Sequence, residues 1–250
     1  MTTNTSNLVL LSGQMALARA MDVVANNIAN ASTTGFKREG IAFDTLLGPS
    51  SPTSNKMASF VFDRTTYRDT SSGPIVGTGN PLDLAIQGQG YFQVQMADGS
   101  TGYTRSGSFA LNPDGQLVTQ SGQQVIGDGG PITVPTTASQ INIASDGYIS
   151  ARIDNGAALA QLGKINLSKF DNEQDMQPVG AGVYTTTQTP QPVTDGSIKQ
   201  FSLEESNVQP VTEITDMIRV MRSYEQVSNM ISNENQRQTD AISRLSKTSS

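Results

Sequence analysis

Starting at Ile214 and stepping alternately three and four residues, the sequence meets Met217, Met221, Tyr224, Ser228, Ile231, Asn235, Gln238, Ile242 and Leu245. Seven of these ten positions are apolar, counting Tyr224, which is the pattern of a coiled-coil seam and predicts one long helix over residues 211–246. Its other faces carry Asp216 with Arg219, Glu234 with Arg237 and Asp240 with Arg244 at helical spacing. Such pairs contribute about 0.2–0.5 kcal/mol each, so they solubilise the helix more than they build it.

A second helical pattern opens the chain. Over residues 8–31, Leu10, Leu17, Met21, Val24 and Ile28 fall on one stripe once Gln14 is allowed as a gap, with Ser6 or Asn7 as the expected cap. Ala18, Ala25 and Ala29 permit close approach of another helix. Ordering roughly twenty residues costs about 1.5 kcal/mol each, whereas burying five seam side chains returns about 2 kcal/mol each at best. The terminal helices therefore need each other, or neighbouring subunits.

Between them, over residues 63–206, the texture is β: runs such as YFQVQM (91–96), QLVT (116–119), INI (141–143), YISARI (148–153), GKINL (163–167) and GVYTTT (182–187) read as strands. Asp-Gly recurs at 98, 114, 128, 146 and 195, a strong hairpin signal. The expected class is α+β: paired N- and C-terminal coiled-coil-like helices and a central all-β domain, an antiparallel meander or partly closed barrel. The expected division is an N-terminal helix 1–36, a connecting loop and hairpin region 37–75, a β domain 76–207 and a C-terminal helix 208–250. Residues 48–59, rich in proline and serine, read as a flexible contact arm.

DVVANNIANASTTGF (22–36) places amides where the first helix ends. Asn26, Asn27 and Asn30 are read as structural: they satisfy free carbonyls and bond the following loop, Gly35 takes a left-handed position that ends the helix, and Phe36 folds back onto the last turn. Asn27, Asn30, Gly35 and Phe36 form the expected helix-end junction.

Chemistry is excluded on several fronts. The chain has no cysteine, histidine or tryptophan, which removes thiol and imidazole chemistry and the commonest transition-metal sites. No catalytic residue, cofactor site or metal site is assigned. Gly77 and Gly79 lack the third glycine and the following helix of a phosphate loop. The Asp-Gly aspartates are scattered one per turn, unlike a calcium loop. Asp171, Glu173 and Asp175 are the densest acids, without an identifiable catalytic pair. With 16 basic against 22 acidic residues, a net charge of -6 and no basic run, nucleic acid is not an expected partner, nor is a small-molecule substrate. The first residues lack the basic region of a secretory signal, and no segment is counted as approaching a membrane span.

Three stretches carry a resemblance. LSGQMALARAMDVVANNIANASTTGFKRE resembles the N-terminal signature of the flagellar basal-body rod and hook family; TGNPLDLAIQGQGYFQV followed by YTRSGSFALNPDGQLVTQSGQQVIG is similar to the central motif of its longer members; ESNVQPVTEITDMIRVMRSYEQVSNMI is similar to its C-terminal helix motif. The resemblance spans nearly the whole chain in the expected order, and the length and opening block look more like the proximal-rod type than the distal-rod type. It implies a non-enzymatic subunit exported through the flagellar type III apparatus without a cleaved signal. It also implies that the terminal helices pack with the same chain and other rod subunits, proximal and distal, into an inner axial tube of a torque-transmitting rod crossing the periplasm, with the β domain outside. The assembly interface then falls on Leu10, Leu17, Met21, Val24, Ile28, Ile214, Met217, Met221, Tyr224 and Ile231. An exported adhesion or binding module built on the β domain, or an enzyme using Asp171, Glu173 or Asp175, are the rival classes; ligand-dependent melting or turnover would mark them.

Overall fold

The computed structural model describes residues 3–47, 59–153 and 159–248 and has an α+β architecture. Helix α1 spans Thr3–Ala29, helix α2 spans Pro210–Thr248, and the chain between them is mostly short strands. It divides into two compact units. The first comprises Met1–Ala29, Glu39–Asp69 and Gln209–Ser250; the second comprises Asn30–Arg38 and Thr70–Val208. The chain thus passes from one unit to the other four times. The contact arm expected at 48–59 lies, apart from Ser59, outside the described residues.

In the first unit α1 packs against α2 and against an antiparallel hairpin, β1 (Glu39–Leu47) and β2 (Ser59–Arg68). The hairpin register runs from Glu39 opposite Arg68 to Leu47 opposite Ser59, with a bulge at Ala42/Phe43. Helix α1 begins at Thr3, ahead of the Ser6 or Asn7 cap expected for it. Helix α2 opens on Pro210, where a fixed φ suits the first turn and the missing N–H has no partner to lose. One expectation is corrected here: Asn7–Ala29 is, by length and composition, long and apolar enough to cross a membrane. Unbroken apolar runs are short in this stretch, but only Arg19 and Asp22 carry charge among its alanines, valines, leucines and methionines.

All strand pairings of the second unit are antiparallel. The main path of its largest sheet runs Gln177–Gly180, Val183–Thr185, Thr101–Thr104, Tyr91–Gln95, Gln124–Gly127, Leu117–Thr119, Phe109–Leu111. The two ends of that path do not pair with each other, so among the described residues the sheet is open and the expected barrel closure is absent. A three-stranded sheet (Ala138–Ile143, Tyr148–Ile153, Leu159–Lys164) and two two-stranded ones complete the unit. The expected strand at 163–167 is split, because Ile165 turns to bond the Gly147 carbonyl and the next strand begins at Leu167.

Strand alternation gives the strand Tyr91–Gln95 two buried faces. Phe92 and Val94 enter the main core with Leu84, Ile86, Phe109, Leu117, Val125, Ile149 and Ile198, where the Phe92 and Phe109 rings meet edge-on at 5.1 Å. Tyr91 points the other way, into an aromatic cluster with Tyr103, Phe170, Met176 and Tyr184. The hairpin turns use glycine in a consistent way. At Gly99, Gly115 and Gly147 the residue after aspartate is left-handed (φ +84°, +75°, +91°) and donates back three residues. These are type I turns closed by a glycine bulge rather than the two-residue turns that Asp-Gly most often signals. Replacing Phe92 with alanine is expected to lower the stability of the β unit by about 3–5 kcal/mol, since the ring is fully buried and paired; a denaturant titration followed by near-UV circular dichroism measures it.

Candidate assembly interface and buried junction

Helix α2 does not present its expected seam symmetrically. Its sheltered stripe is Glu213, Met217, Val220, Tyr224, Val227, Ile231, Glu234 and Gln238: Glu213 is fully buried and the rest half-buried. Met217, Tyr224 and Ile231 of the expected seam lie on it. Ile214 and Met221 do not; at 49% and 46% exposure they form an outward stripe with Val211 and Ile218. At 3.6 residues per turn the whole apolar arc is wider than one neighbouring helix covers, and α1 covers one side of it. Of the expected surface ion pairs, Asp216 with Arg219 and Glu234 with Arg237 form.

Among the described residues of α1 the buried ones are Ala16, Val23 and Asn27, one residue before Leu17, Val24 and Ile28. Leu10, Leu17, Met21, Val24 and Ile28 are half-buried beside that line, and Leu8, Leu11 and Met15 form an exposed apolar stripe.

Asn27 is a complete hydrogen-bond clamp within the first unit. Its amide nitrogen donates to the Glu39 carbonyl (2.8 Å) and to the buried Glu213 carboxylate (3.0 Å), while its oxygen accepts from the Glu39 N–H (2.9 Å). It therefore pairs with residue 39 as a strand would, and ties α1, β1 and α2 together at zero exposure. Asn26 adds an exposed bond to the Glu39 side chain at 3.2 Å.

The second unit holds a junction of its own. The Asn30 side chain accepts from Thr33, and the Phe36 N–H donates to the Thr33 carbonyl, so successive turns follow Ala29. Gly35 has the left-handed φ expected of it (+70°), but it does not end α1, which stops six residues earlier. Its conformation serves a close approach instead: a Cβ would lie 2.6 Å from the Arg105 carbonyl carbon, and its N–H donates to the Glu204 carbonyl at 2.8 Å. Phe36 is half-buried, and its carbonyl accepts from the Asn207 N–H at 3.4 Å.

Next to Gly35 lie three buried charges that the sequence reading missed. The Glu204 carboxylate is fully buried and accepts from Lys37 Nζ (2.6 Å), Arg105 Nε (2.8 Å) and the Gly73 N–H (3.0 Å). Lys37 also donates to the Ser71 carbonyl, and the Arg105 guanidinium to the Gly88 and Gly90 carbonyls. Burial pushes the Lys37 ammonium below its ordinary pKa, partly offset by its bond to Glu204. Two cations share one buried anion; no local pattern in the sequence marks these three charges, which lie far apart in a chain where charged residues are only 15%. These internal bonds hold three distant segments together. Glu173, the middle acid of the run 171–175, accepts from the buried Tyr91 hydroxyl at 2.9 Å, which gives it a structural partner rather than a catalytic one.

Removing the Glu204 charge leaves two buried cations without an anion; Glu204→Gln is expected to cost about 3–5 kcal/mol, read as a fall in the melting temperature of the β unit. Burial and the Glu173 carboxylate raise the Tyr91 hydroxyl pKa far above its ordinary value of 10.0, and burial raises that of Tyr103. Their stabilising effect is complete below about pH 10, where the unfolded phenols are also neutral, and is lost as pH rises beyond it, because only the unfolded chain releases those protons. Alkaline titration of ellipticity is expected to show unfolding above about pH 10 that Tyr91→Phe makes shallower.

Comparison with known proteins places these segments. Residues 8–37 match the model described as flagella basal body rod protein, residues 85–151 the flagellar hook protein FlgE/F/G D1 domain, and residues 199–244 the flagellar basal body rod FlgEFG protein C-terminal region. Lys37, Arg105 and Glu204 fall one in each. A flagellar basal-body rod protein FlgF of Caulobacter vibrioides is 43% identical over 95% of this chain and 96% of its own length. The FlgG of Agrobacterium fabrum is 37% identical over 89% and 92%, and the FlgF of Salmonella typhimurium 38% over 90% and 91%.

Proposed function

The chain belongs to the flagellar basal-body rod family, and from that premise we propose that it is a structural, torque-transmitting subunit of the rod, of the proximal-rod type. The observation that carries the mechanism is the uncovered half of the apolar arc on α2, Val211, Ile214, Ile218 and Met221, together with Leu8, Leu11 and Met15 on α1. Apolar stripes at helical spacing on a pair already packed together invite further helices. In this reading the helices, paired in coiled-coil fashion, supply the inner axial layer along with other copies and other rod subunits, and the β unit supplies the outer layer.

Torque needs both units to move as one body. Three of the four chain crossings, at 29/30, 38/39 and 208/209, lie close in sequence to the Asn27 clamp of the first unit, and Lys37, Glu204 and Asn207 anchor the segments of the second unit. The division expected for the axial parts, 1–36 and 208–250, belongs to this proposal, as does passage through the flagellar type III export apparatus without a cleaved signal to a rod crossing the periplasm. Catalysis has no place in it.

The distal-rod type is the second reading, favoured by FlgG relatives that align over nearly the same length. Abundance in purified hook-basal bodies separates the two: a small fraction of the distal-rod signal by mass spectrometry fits the proximal type, parity fits the distal. Met221→Asp puts a charge on the exposed apolar stripe of α2. It is expected to be exported but to block rod assembly and swarming; motile cells with normal hooks would overturn the assignment of that face.

A further inference from the structure

The outward face of the three-stranded sheet carries two cations, Arg152 and Lys164, and its described strands carry no carboxylate. Its cross-strand register places Tyr148 opposite Lys164, Ser150 opposite both Asn142 and Gln161, and Arg152 opposite both Ser139 and Leu159. The alternate residues Ile143, Ile149 and Ala151 are buried, so these rows face solvent, with Tyr148 and Leu159 exposed. Lys164 Nζ stands 5.1 Å from the Tyr148 ring centroid. The described strands of this sheet carry two cations and no carboxylate, in a chain of net charge -6. Arg152 Nε is shielded from solvent yet has no acceptor, and among the described residues neither cation pairs with an acid.

The same unit presents the complement elsewhere. Asp171, Glu173 and Asp175 fall within five residues, the last two on a short 3-10 turn (Glu173–Asp175) capped by Asn172, whose side chain accepts from the Gln174 N–H. Asp171 and Asp175 are exposed, and among the described residues each accepts one side-chain amide, from Gln191 and Asn172, which leaves further acceptor capacity on each carboxylate.

We infer that the Tyr148, Arg152 and Lys164 face docks the acidic turn 171–175 of a second copy of this chain. The two patches differ, so the contact is heterologous: each copy offers one patch forward and the other back, and the pairing repeats around an axis rather than closing on a two-fold dimer. Paired charges at the margin of an interface fix register and exclude wrong neighbours more than they add affinity, which suits an outer layer whose copies must all sit alike. The inference rests on the proposed rod role and adds the outer contact to it.

The test is zero-length carbodiimide cross-linking of isolated basal bodies followed by peptide mass spectrometry. Cells co-express two alleles, Lys164→Arg with intact acids, and Asp171→Asn/Asp175→Asn with intact Lys164, so that any link from Lys164 to residue 171 or 175 joins two copies. Such links are the expected result. The subunit present but linked from Lys164 only to another protein, or not at all, overturns this contact and leaves the rod role standing; its absence from basal bodies overturns both. Arg152→Glu and Lys164→Glu, each checked for native circular dichroism, are expected to lower incorporation into basal bodies about tenfold, and Asp175→Arg to restore it in the Arg152→Glu background. Full incorporation of both single variants also overturns the inference.

Discussion

One carboxylate organises the β unit. Glu204 sits at zero exposure and draws in Lys37 from the segment after α1, Arg105 from the end of a central strand and the Gly73 N–H from the approach to the domain. Buried charge is tolerated only when paired and hydrogen-bonded, so each of these segments is committed to its place by the cost of leaving it. Neighbouring contacts repeat the connection: Gly35 donates to the Glu204 carbonyl, and Asn207 binds the Arg38 N–H and the Ser71 carbonyl. A chain whose ends lie far apart in sequence is thereby closed at a single point.

The helical unit solves the same problem with a neutral group. Asn27 spends both amide protons and its oxygen on Glu39 and Glu213, and so sets the register of α1 against α2 and against the hairpin. Apolar side chains slide past one another at little cost, whereas a buried amide has few positions in which every bond is met. A polar pin inside an otherwise apolar seam gives a subunit one defined helix pairing, which repeated assembly requires.

What the helices leave uncovered is as informative as what they bury. Helix α2 has an apolar arc wider than its one partner, and α1 has an apolar stripe facing away from its buried line. A monomer gains nothing from either. In the proposed reading further copies or relatives complete the packing, and the family to which the chain belongs is one of rod subunits.

By itself the sequence determined the order of elements, because their signals are local: the three-four apolar steps mark α1 and α2, and glycine after aspartate marks hairpins whose strands lie close to where they were read. Recognition of the family was also legible, since its motifs are contiguous. Only the tertiary structure decided which side of each helix is buried. The apolar arcs span more than one side, and 3.6-residue geometry let Ala16, Val23 and Asn27 win over the neighbouring larger residues while Ile214 and Met221 stayed outside. Tertiary structure alone also revealed the Lys37, Arg105 and Glu204 cluster, whose members lie 68 and 99 positions apart in sequence. No periodicity connects residues at that separation; what joins them is the desolvation of one carboxylate, which exists only once the chain has folded around it.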